Sequence, residues 1–506
     1  MSLKFAISQI RYIMQKSLKK NYILNLTNTI SSLLFPLITF PYAARIIMAE
    51  GIGQINFYSS IISYISLFTS LGIPLYAIRE IAKVRNSPQQ LSITTTEIVL
   101  LHTGLTLIGY FVIFVIVVTF PKIAENALLF LLLSISIIFT AIGCEWFYQG
   151  IEDFKYITIR AITVKSICVI LLFMLVKTRD DIMFYALYTV VGTVGNNLFN
   201  FFRLRKHIYV KYINIRELCP LRHLKPAIHV FVLNMVISIY CNLDIVMLGF
   251  LKDSSTVGYY TGATRLTKML LAIVSSLGTV MVPRLSHLLN TNQLDEFKRI
   301  SQKAVDFVIA LSLPLSLGLI VTSHLLIRLF CGPTYEPAIL TLQIISPILF
   351  LIALSGVMGI QILYPQGKEN IVIKCTLIGA ITNFTLNCFL IPVYANNGAA
   401  IATCIAELSV TMSMLVIGRR HLPVNYSIKR YKNYFCGSAI MLIIIYIITK
   451  IEGLPDIIIL MLSTGLGIMT YFAYLYLRND QLFGDLIVRP VKLYINRKKD
   501  SKSLLP

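Results

Sequence analysis

Long apolar runs separated by short polar segments dominate this sequence. Fourteen runs have about 20 mostly apolar residues, the length that an α-helix needs to cross a bilayer. Helices are the expected elements, because an unpaired backbone amide in hydrocarbon costs several kcal/mol and no alternating barrel pattern occurs. The predicted spans lie at about 22–48, 54–78, 93–119, 126–148, 156–176, 182–202, 227–250, 256–282, 304–324, 338–363, 370–391, 397–418, 434–449 and 455–477.

The composition supports an integral membrane protein. Of the 506 residues, 56% are hydrophobic and only 13% are charged, and the mean hydropathy is +0.76. A soluble domain carries about a quarter of charged residues, so this chain could not cover a water-exposed surface. The same values exclude a disordered chain, a coiled coil and a soluble nucleic-acid-binding protein.

The net charge of +22 follows from where the basic residues lie. With the N-terminus placed in the cytoplasm, 35 of the 45 Lys and Arg residues fall in cytoplasmic segments and 7 in outer loops. This asymmetry follows the positive-inside rule, so both termini are predicted to be cytoplasmic. We recognise no removable signal peptide, disulfide framework or zinc site, and every outer loop is short.

Short motifs recur in the two halves of the chain and indicate a parallel repeat. A Tyr…Gln-Gly turn follows span four (Tyr148 to Gly150) and span ten (Tyr364 to Gly367), and Gly53 and Gly258 follow spans one and seven. Because six spans separate the copies, the halves share one orientation, with a substrate site expected between them. The predicted fold is all-α, with 14 transmembrane helices: two six-helix lobes related by a pseudo-two-fold axis along the membrane normal, and two C-terminal helices.

The predicted organisation has six parts. They are a basic cytoplasmic N-terminus (1–21), an N-lobe of spans one to six (22–203), a basic cytoplasmic loop (204–226), a C-lobe of spans seven to twelve (227–419), spans thirteen and fourteen (434–477) and a basic cytoplasmic tail (478–506). No G-x-x-x-x-G-K-[ST] phosphate loop occurs, so ATP hydrolysis is not expected. No outer segment could form a catalytic domain, and we predict a transporter rather than an enzyme.

The ordered motifs resemble a transporter superfamily. Leu277 to Ser286, following Val257 to Tyr260, looks like the eighth helix of the multidrug/oligosaccharidyl-lipid/polysaccharide exporters, and Tyr364 to Lys368 is similar to the polysaccharide transporter branch. In particular the chain resembles Wzx-type flippases of O-antigen or capsular repeat units. The resemblance implies a bacterial inner-membrane protein that moves undecaprenyl-pyrophosphate-linked oligosaccharide to the outer leaflet. A polysaccharide polymerase and a chain-length regulator are candidate partners.

Basic residues inside the predicted spans are the candidate substrate ligands. A central charge costs about 2.5–3.5 kcal/mol on insertion scales, and a pyrophosphate needs cationic partners to replace its water. The residues predicted to line a cationic cavity are Arg265, Lys268, Lys165, Arg160 and Arg45, the first two on a polar stripe with Thr261, Ala272, Ser275 and Thr279. Arg265 also matches a cavity arginine of the similar lipid II flippases, although Thr264 stands where those proteins often carry an acid.

Each of these basic residues also has a structural interpretation. Arg265 and Lys268 could extend along the helix to the outer membrane interface, since long basic side chains reach toward water. Lys165 could pair with an acid such as Asp306, and Arg160 could be an interfacial anchor.

Acidic and amide residues are candidates for coupling transport to an ion. Asp244, Glu407 and Asp306 could take up a proton, or could form structural ion pairs. Asn383, Asn387 and Thr403 offer oxygen ligands for a cation, in positions similar to the sodium site of some lipid II flippases. Hydrogen bonding between helices is the alternative for these amides. Beyond coupling H⁺ or Na⁺, no cofactor or metal is expected.

Two other functions remain open from the sequence. An ion-coupled exporter of small cationic molecules would need acidic rather than basic cavity residues. A membrane polysaccharide polymerase would need a sizeable outer loop.

We interpret His102 as a packing residue, and Trp146, Phe147 and Tyr148 as an aromatic belt at the cytoplasmic interface.

Overall fold

The structure, a computed structural model, describes the backbone of residues 2–480 and 484. It describes the side chains of residue 27, residues 31–480 and residue 484, except those of 33, 210, 215, 232–234, 236–239, 241, 276–280 and 428. Sixteen α-helices and no strand occur in these ranges: α1 (Ser2–Ser70), α2 (Ile73–Val84), α3 (Pro88–Thr119), α4 (Pro121–Ala124), α5 (Ala127–Gly143), α6 (Glu145–Gly150), α7 (Phe154–Leu175), α8 (Ile182–Leu204), α9 (Leu224–Leu251), α10 (Ser254–Asn290), α11 (Leu294–Phe330), α12 (Ala338–Ile345), α13 (Ile348–Gly356), α14 (Glu369–Ile417), α15 (Ile428–Thr449) and α16 (Asp456–Leu477).

Two long helices contain sharp interruptions. Met48 in α1 has φ 59° and ψ −177°, and Ala395 in α14 has φ 51° and ψ −127°. A positive φ is uncommon for residues other than glycine, so each position breaks the helical path. With a rise of about 1.5 Å per residue, helices of 69 and 49 residues far exceed the bilayer core of about 30 Å. Both breaks lie where the sequence predicts a turn between spans.

Ten segments are long and apolar enough to cross a membrane, counted over the part of the chain that the structure describes. They are Leu34–Val84, Pro88–Thr119, Ala127–Gly150, Phe154–Leu175, Ile182–Leu204, Leu294–Phe330, Ala338–Leu363, Glu369–Ile417, Lys429–Thr449 and Asp456–Leu477. The all-α membrane fold predicted from the sequence is confirmed at this level. The count of fourteen spans and the arrangement in two six-helix lobes stay predictions.

The chain divides into two compact units, Met1–Gly258 and Tyr259–Pro506. In the first unit, α1 packs against α3, α5, α7 and α9, and α5 packs against α8. The helix α9, which the sequence pattern places at the start of the C-lobe, therefore belongs by its contacts to the first unit. The six-part organisation predicted from the sequence remains a prediction.

The helical path is interrupted between α5 and α6, and the three aromatic residues that follow are buried in the core of the first unit. Cys144 has φ 45° and ψ 46°, a left-handed conformation that interrupts the helix between α5 and α6. Beyond this interruption Trp146, Phe147 and Tyr148 are 3%, 0% and 0% exposed and join a hydrophobic core. The predicted aromatic belt at the membrane interface is therefore wrong, since these side chains are buried inside the protein. The polarity of the three residues does not reveal the helix break that precedes them.

The second unit is built around α11. This helix packs against α12, α13, α15 and α16, while α14 packs against α12 and α13. Its core contains Leu313, Leu349, Met358, Met414 and Tyr471. The helices of predicted spans thirteen and fourteen, α15 and α16, thus share a hydrophobic core with the rest of this unit.

Candidate functional sites

Lys165 on α7 is held by hydroxyl groups of α1. Its Nζ donates hydrogen bonds to Ser31 Oγ at 3.0 Å and to Ser32 Oγ at 2.8 Å, and lies 6.0 Å from the centre of the Phe35 ring. These partners are neutral. The side chain is half-buried, so the ammonium charge keeps some access to a further anionic group.

Arg160, one turn and a residue before Lys165 on α7, is engaged by three polar side chains of its own unit. Its Nε donates to Asn196 Oδ1 at 3.1 Å, Nη1 donates to Asn200 Oδ1, and Nη2 lies 3.3 Å from Glu145 Oε1. The residue is 5% exposed. A buried guanidinium is stable only when it is paired in this way, which differs from the interfacial anchor considered above.

Arg265 and Lys268 lie on one face of α10. Arg265 is half-buried and Lys268 is exposed, whereas Ala263 and Thr267, on the other side of the helix, are fully buried. Thr261 at the start of the predicted stripe is buried, and the side chain of Thr279 lies outside the described residues. On α1, Arg45 is exposed three residues before the break at Met48. The roles of these residues in binding substrate stay predictions.

The three candidate coupling acids are buried. Asp306, Asp244 and Glu407 are 5%, 7% and 7% exposed. Asp306 on α11 forms a two-pronged ion pair with Arg430 on α15, with Nη2 2.5 Å from Oδ2 and Nε 3.0 Å from Oδ1. Asp306 therefore pairs with Arg430 rather than with Lys165, the partner considered from the sequence.

The candidate cation ligands are polar residues of α14, of which Asn383 and Asn387 are buried and Thr403 is half-buried. Asn383 and Asn387 are both 0% exposed, and Asn387 Nδ2 donates to Asn383 Oδ1 at 3.1 Å along the same helix. The Thr403 hydroxyl donates to the Ala399 carbonyl at 2.9 Å and lies 3.1 Å from Tyr260 Oη. The proposed cation site stays a prediction.

A polar pocket that the sequence pattern did not predict lies in the first unit. It has a volume of about 480 Å³ and is lined by Pro74, His102, Thr140, Glu145, Trp146, Gln149, Gly192, Thr193, Asn196 and Asn197. Five helices, α2, α3, α5, α6 and α8, contribute to it. The sequence signal was the pair Asn196 and Asn197 within an apolar span, but nothing in the sequence relates this pair to Glu145 or His102.

An ionic cluster anchors the segment between α8 and α9. Glu97 on α3 is 1% exposed and accepts hydrogen bonds from the Cys219 backbone N–H at 2.8 Å and from His223 Nε2 at 3.0 Å. His223 Nδ1 lies 2.7 Å from Tyr76 Oη on α2, and Arg222 forms an ion pair with Glu97. Glu97 is thus a structural partner of this segment, for which the sequence predicted only a basic loop.

An apolar pocket lies in the second unit. It has a volume of about 360 Å³, and α10, α11, α15 and α16 contribute its lining, including Leu270, Pro314, Met441, Ile468 and Phe472. The lining is almost entirely hydrocarbon. Such a surface suits an aliphatic chain and offers little to a polar ligand.

The chain is similar in sequence to known transporters. The family model described as "Polysaccharide biosynthesis protein" matches residues 18–289, and the model described as "MatE" matches residues 230–389. A protein named "Putative O-antigen transporter" from Escherichia coli (strain K12) is 26% identical over 415 residues, which cover 80% of this chain and 97% of that protein.

Solved transporter structures share the fold. The structure titled "Lipid II flippase MurJ, inward closed conformation" aligns with a TM-score of 0.71 at 18% identity, over 92% of this chain and 99% of the other. An inward-facing multidrug resistance MATE family transporter of the MOP superfamily aligns with a TM-score of 0.55 at 13% identity, over 79% and 94%. At these identities the likeness establishes the fold alone.

Proposed function

Since this chain belongs to the polysaccharide biosynthesis protein family, as a Wzx-type polysaccharide flippase, we propose that it moves undecaprenyl-pyrophosphate-linked oligosaccharide repeat units from the cytoplasmic to the periplasmic leaflet. The repeat units would belong to O-antigen or capsule. The relatives are named as transporters and flippases, and the chain is a multi-pass membrane transporter rather than an enzyme. We propose the bacterial inner membrane as its location, with both termini in the cytoplasm.

The observation that carries the proposal is Lys165, a cation within a membrane helix whose partners are hydroxyl groups. Ser31 and Ser32 orient the ammonium without neutralising it, so its charge remains available to a phosphate group. Arg265 and Lys268 on α10, and Arg45 on α1, would add further positive charge along the path. Arg160 is already bonded to Glu145 and two asparagines, and we assign it a supporting role.

The proposed mechanism is alternating access. A cationic cavity between two six-helix lobes opens to the cytoplasm, binds the sugar–pyrophosphate head, and then opens to the periplasm as the lobes rock. The cavity must be hydrophilic, because each sugar hydroxyl left unpaired in hydrocarbon costs kcal/mol. The polyprenyl tail stays in an apolar environment, for which the pocket lined by Pro314 and Ile468 is a candidate.

We propose fourteen membrane crossings. The interruptions at Met48 and Ala395 support two crossings in each of α1 and α14, one on either side of the break. The helices α9 and α10, of 28 and 37 residues, are long enough for one crossing each. An even number of crossings agrees with two cytoplasmic termini.

The driving force is proposed to be proton or sodium coupling. Asp244 and Glu407 are buried acids that could exchange a proton during the cycle. Asn383, Asn387 and Thr403 are the alternative, as ligands for Na⁺. A polysaccharide polymerase and a chain-length regulator would use the translocated units and are proposed as partners.

The test is to delete the chain in its host and to analyse the lipid-linked pool. We expect single repeat units to accumulate on the inner leaflet, where they resist a sugar-oxidising reagent that cannot cross the membrane. Complementation with the wild-type chain should restore surface polysaccharide. Purified protein in liposomes should in turn make a labelled lipid-linked oligosaccharide accessible from the opposite side.

Other outcomes would contradict the proposal. Units accumulating on the outer leaflet would indicate a polymerase, and an unchanged lipid-linked pool with altered resistance to cationic compounds would indicate a small-molecule exporter.

A further inference from the structure

We infer that the polar pocket of the first unit, lined by Glu145, Trp146 and Asn197, is a subsite for an uncharged sugar residue of the lipid-linked oligosaccharide. This inference rests on the proposed function and adds to it a second recognition element, separate from the cationic residues assigned to the pyrophosphate.

The size and chemistry of the pocket suit a sugar. Its volume of about 480 Å³ lies within the range of about 300–1,000 Å³ typical of small-molecule sites. The lining residues include Glu145, Gln149, Thr193, Asn196 and Asn197, whose side chains carry a carboxylate, three amides and a hydroxyl. Amides and hydroxyls both donate and accept hydrogen bonds, as a ring bearing several hydroxyl groups requires.

The charges around the pocket favour a neutral ligand. Glu145 is its one acidic lining residue, and the guanidinium of Arg160 lies 3.3 Å from Glu145 Oε1. This pair leaves little net charge, so neither an anion nor a cation gains a large Coulomb energy there. A pyrophosphate would also meet the Glu145 carboxylate directly. The pocket is therefore suited to the sugar part of the substrate and not to its phosphates.

The surrounding structure holds the pocket in shape. Arg160 bonds to Asn196 and Asn200 on α8 and so fixes that helix against α7. Gly143 at the end of α5 lies directly against the Asn197 side chain, where any Cβ would overlap Asn197 Oδ1. A site built on such fixed side chains loses less conformational entropy when a weak ligand binds.

Two lining residues carry buried nitrogen atoms that have no hydrogen-bond partner among the described residues. They are Nδ1 of His102 and Nε1 of Trp146, and the two residues are 1% and 3% exposed. Unsatisfied buried polar atoms are uncommon and call for a cause. Both atoms belong to residues that line the pocket, and a hydroxyl-bearing ligand is the partner that we propose for them.

The chain supplies its own probe, because Trp146 is its single tryptophan. We would purify the full-length wild-type protein in nanodiscs and record tryptophan emission while adding N-acetylglucosamine, glucose, inorganic pyrophosphate or NaCl. We expect a saturable change in emission with a neutral sugar and none with pyrophosphate or NaCl. Because all tryptophan emission comes from one residue, such a change reports on this pocket.

Two variants test which groups bind. Glu145→Gln keeps the shape of the side chain and should weaken sugar binding about tenfold, the effect of losing one charge-assisted hydrogen bond. Thr193→Val should weaken it a few-fold, as expected for one neutral hydrogen bond. The matched control is Glu50→Gln, which removes an exposed acid of α1 that pairs with Arg179 and should leave the titration unchanged.

Two results would overturn the inference: no saturable response to any sugar, or an equal response to NaCl or pyrophosphate, which would indicate an ion site. Either result combined with normal flipping by the wild-type protein in liposomes would refute the sugar subsite alone. If the wild-type protein did not flip a lipid-linked oligosaccharide in liposomes, the proposed function itself would be refuted instead.

Discussion

Arg430 on α15 and Asp306 on α11 form a two-pronged ion pair, with Nη2 2.5 Å from Oδ2 and Nε 3.0 Å from Oδ1. Gln302 Nε2 also donates to Asp306 Oδ1 at 2.8 Å, so the carboxylate is engaged from two helices. The pair ties the first of the two C-terminal helices to the centre of the second unit. It argues for a structural role of Asp306, one of the two interpretations that its position in the sequence allowed.

Replacing Asp306 should therefore destabilise the second unit. We expect Asp306→Asn to cost about 2 kcal/mol, between the values for exposed and buried pairs, because Arg430 is partly exposed. Thermal unfolding in detergent measures the loss. Glu296→Gln on the same helix is the control, since its pair with Arg299 is on the surface. A stable Asp306→Asn protein whose transport has lost its pH dependence would show that the carboxyl group carries protons instead.

Removing the charge of Lys165 should block transport while the protein still inserts. We expect Lys165→Ala to abolish most surface polysaccharide, because it removes the ammonium that Ser31 and Ser32 orient and that we assign to the phosphate groups. Lys165→Arg should keep part of the activity, since a guanidinium also donates to hydroxyls and pairs with phosphate. Polysaccharide display on cells, normalised to the amount of protein in the membrane, is the measurement. Lys155→Ala, an exposed residue of the same helix, should behave as wild type.

Removing the charge of Arg265 on α10 should also impair transport. Arg265→Ala should slow flipping in liposomes about tenfold or more, the effect of losing one bidentate charge-assisted contact to phosphate. Arg265→Lys should recover only part of the rate, because an ammonium cannot bind phosphate bidentately. Arg284→Ala, exposed near the other end of this helix, is the matched control. Normal polysaccharide from an Arg265→Ala/Lys165→Ala double mutant would contradict both assignments.

Two glycines related by the predicted repeat, Gly53 and Gly258, permit close packing of backbone on backbone. A Cβ atom at Gly53 would overlap the Ser254 carbonyl oxygen, and one at Gly258 would overlap the Ala49 carbonyl oxygen. We expect Gly53→Ala to reduce folded protein strongly, because backbone cannot move aside as a flexible side chain can. Fluorescence-detected size exclusion measures the folded fraction.

The control for this substitution is a second helical glycine with free space around it. A Cβ atom at Gly104 on α3 would meet no described atom within 4 Å, so Gly104→Ala should be neutral or stabilise by about 0.5–1 kcal/mol. Equal behaviour of the two variants would show that the contact at Gly53 is not required.

The pattern of apolar runs predicted the helical membrane fold because the bilayer leaves few choices. Backbone groups in hydrocarbon must bond within their own helix, so hydropathy and span length report directly on structure. The ordered motifs likewise predicted the transporter family. The sequence also identified Lys165 as exceptional, since placing a lysine in the middle of a membrane span costs free energy.

The partners of these polar residues could not be predicted from the sequence. Lys165 meets Ser31 and Ser32, and Asp306 meets Arg430, across separations of more than a hundred residues. Such pairings depend on which helices become neighbours and on the rotation of each helix about its axis. Hydropathy specifies neither, because lipid-facing and core-facing residues in a membrane protein are both apolar.

The sequence by itself determined that this chain crosses a membrane as helices, that its basic residues lie mostly in the segments predicted to be cytoplasmic, and which transporter family it belongs to. Only the tertiary structure decided that Trp146 is buried beside Glu145 and His102 in a polar pocket. The reason is that these contacts depend on which helices pack around α6 and on the left-handed conformation of Cys144 before it, and the polarity of the residues encodes neither.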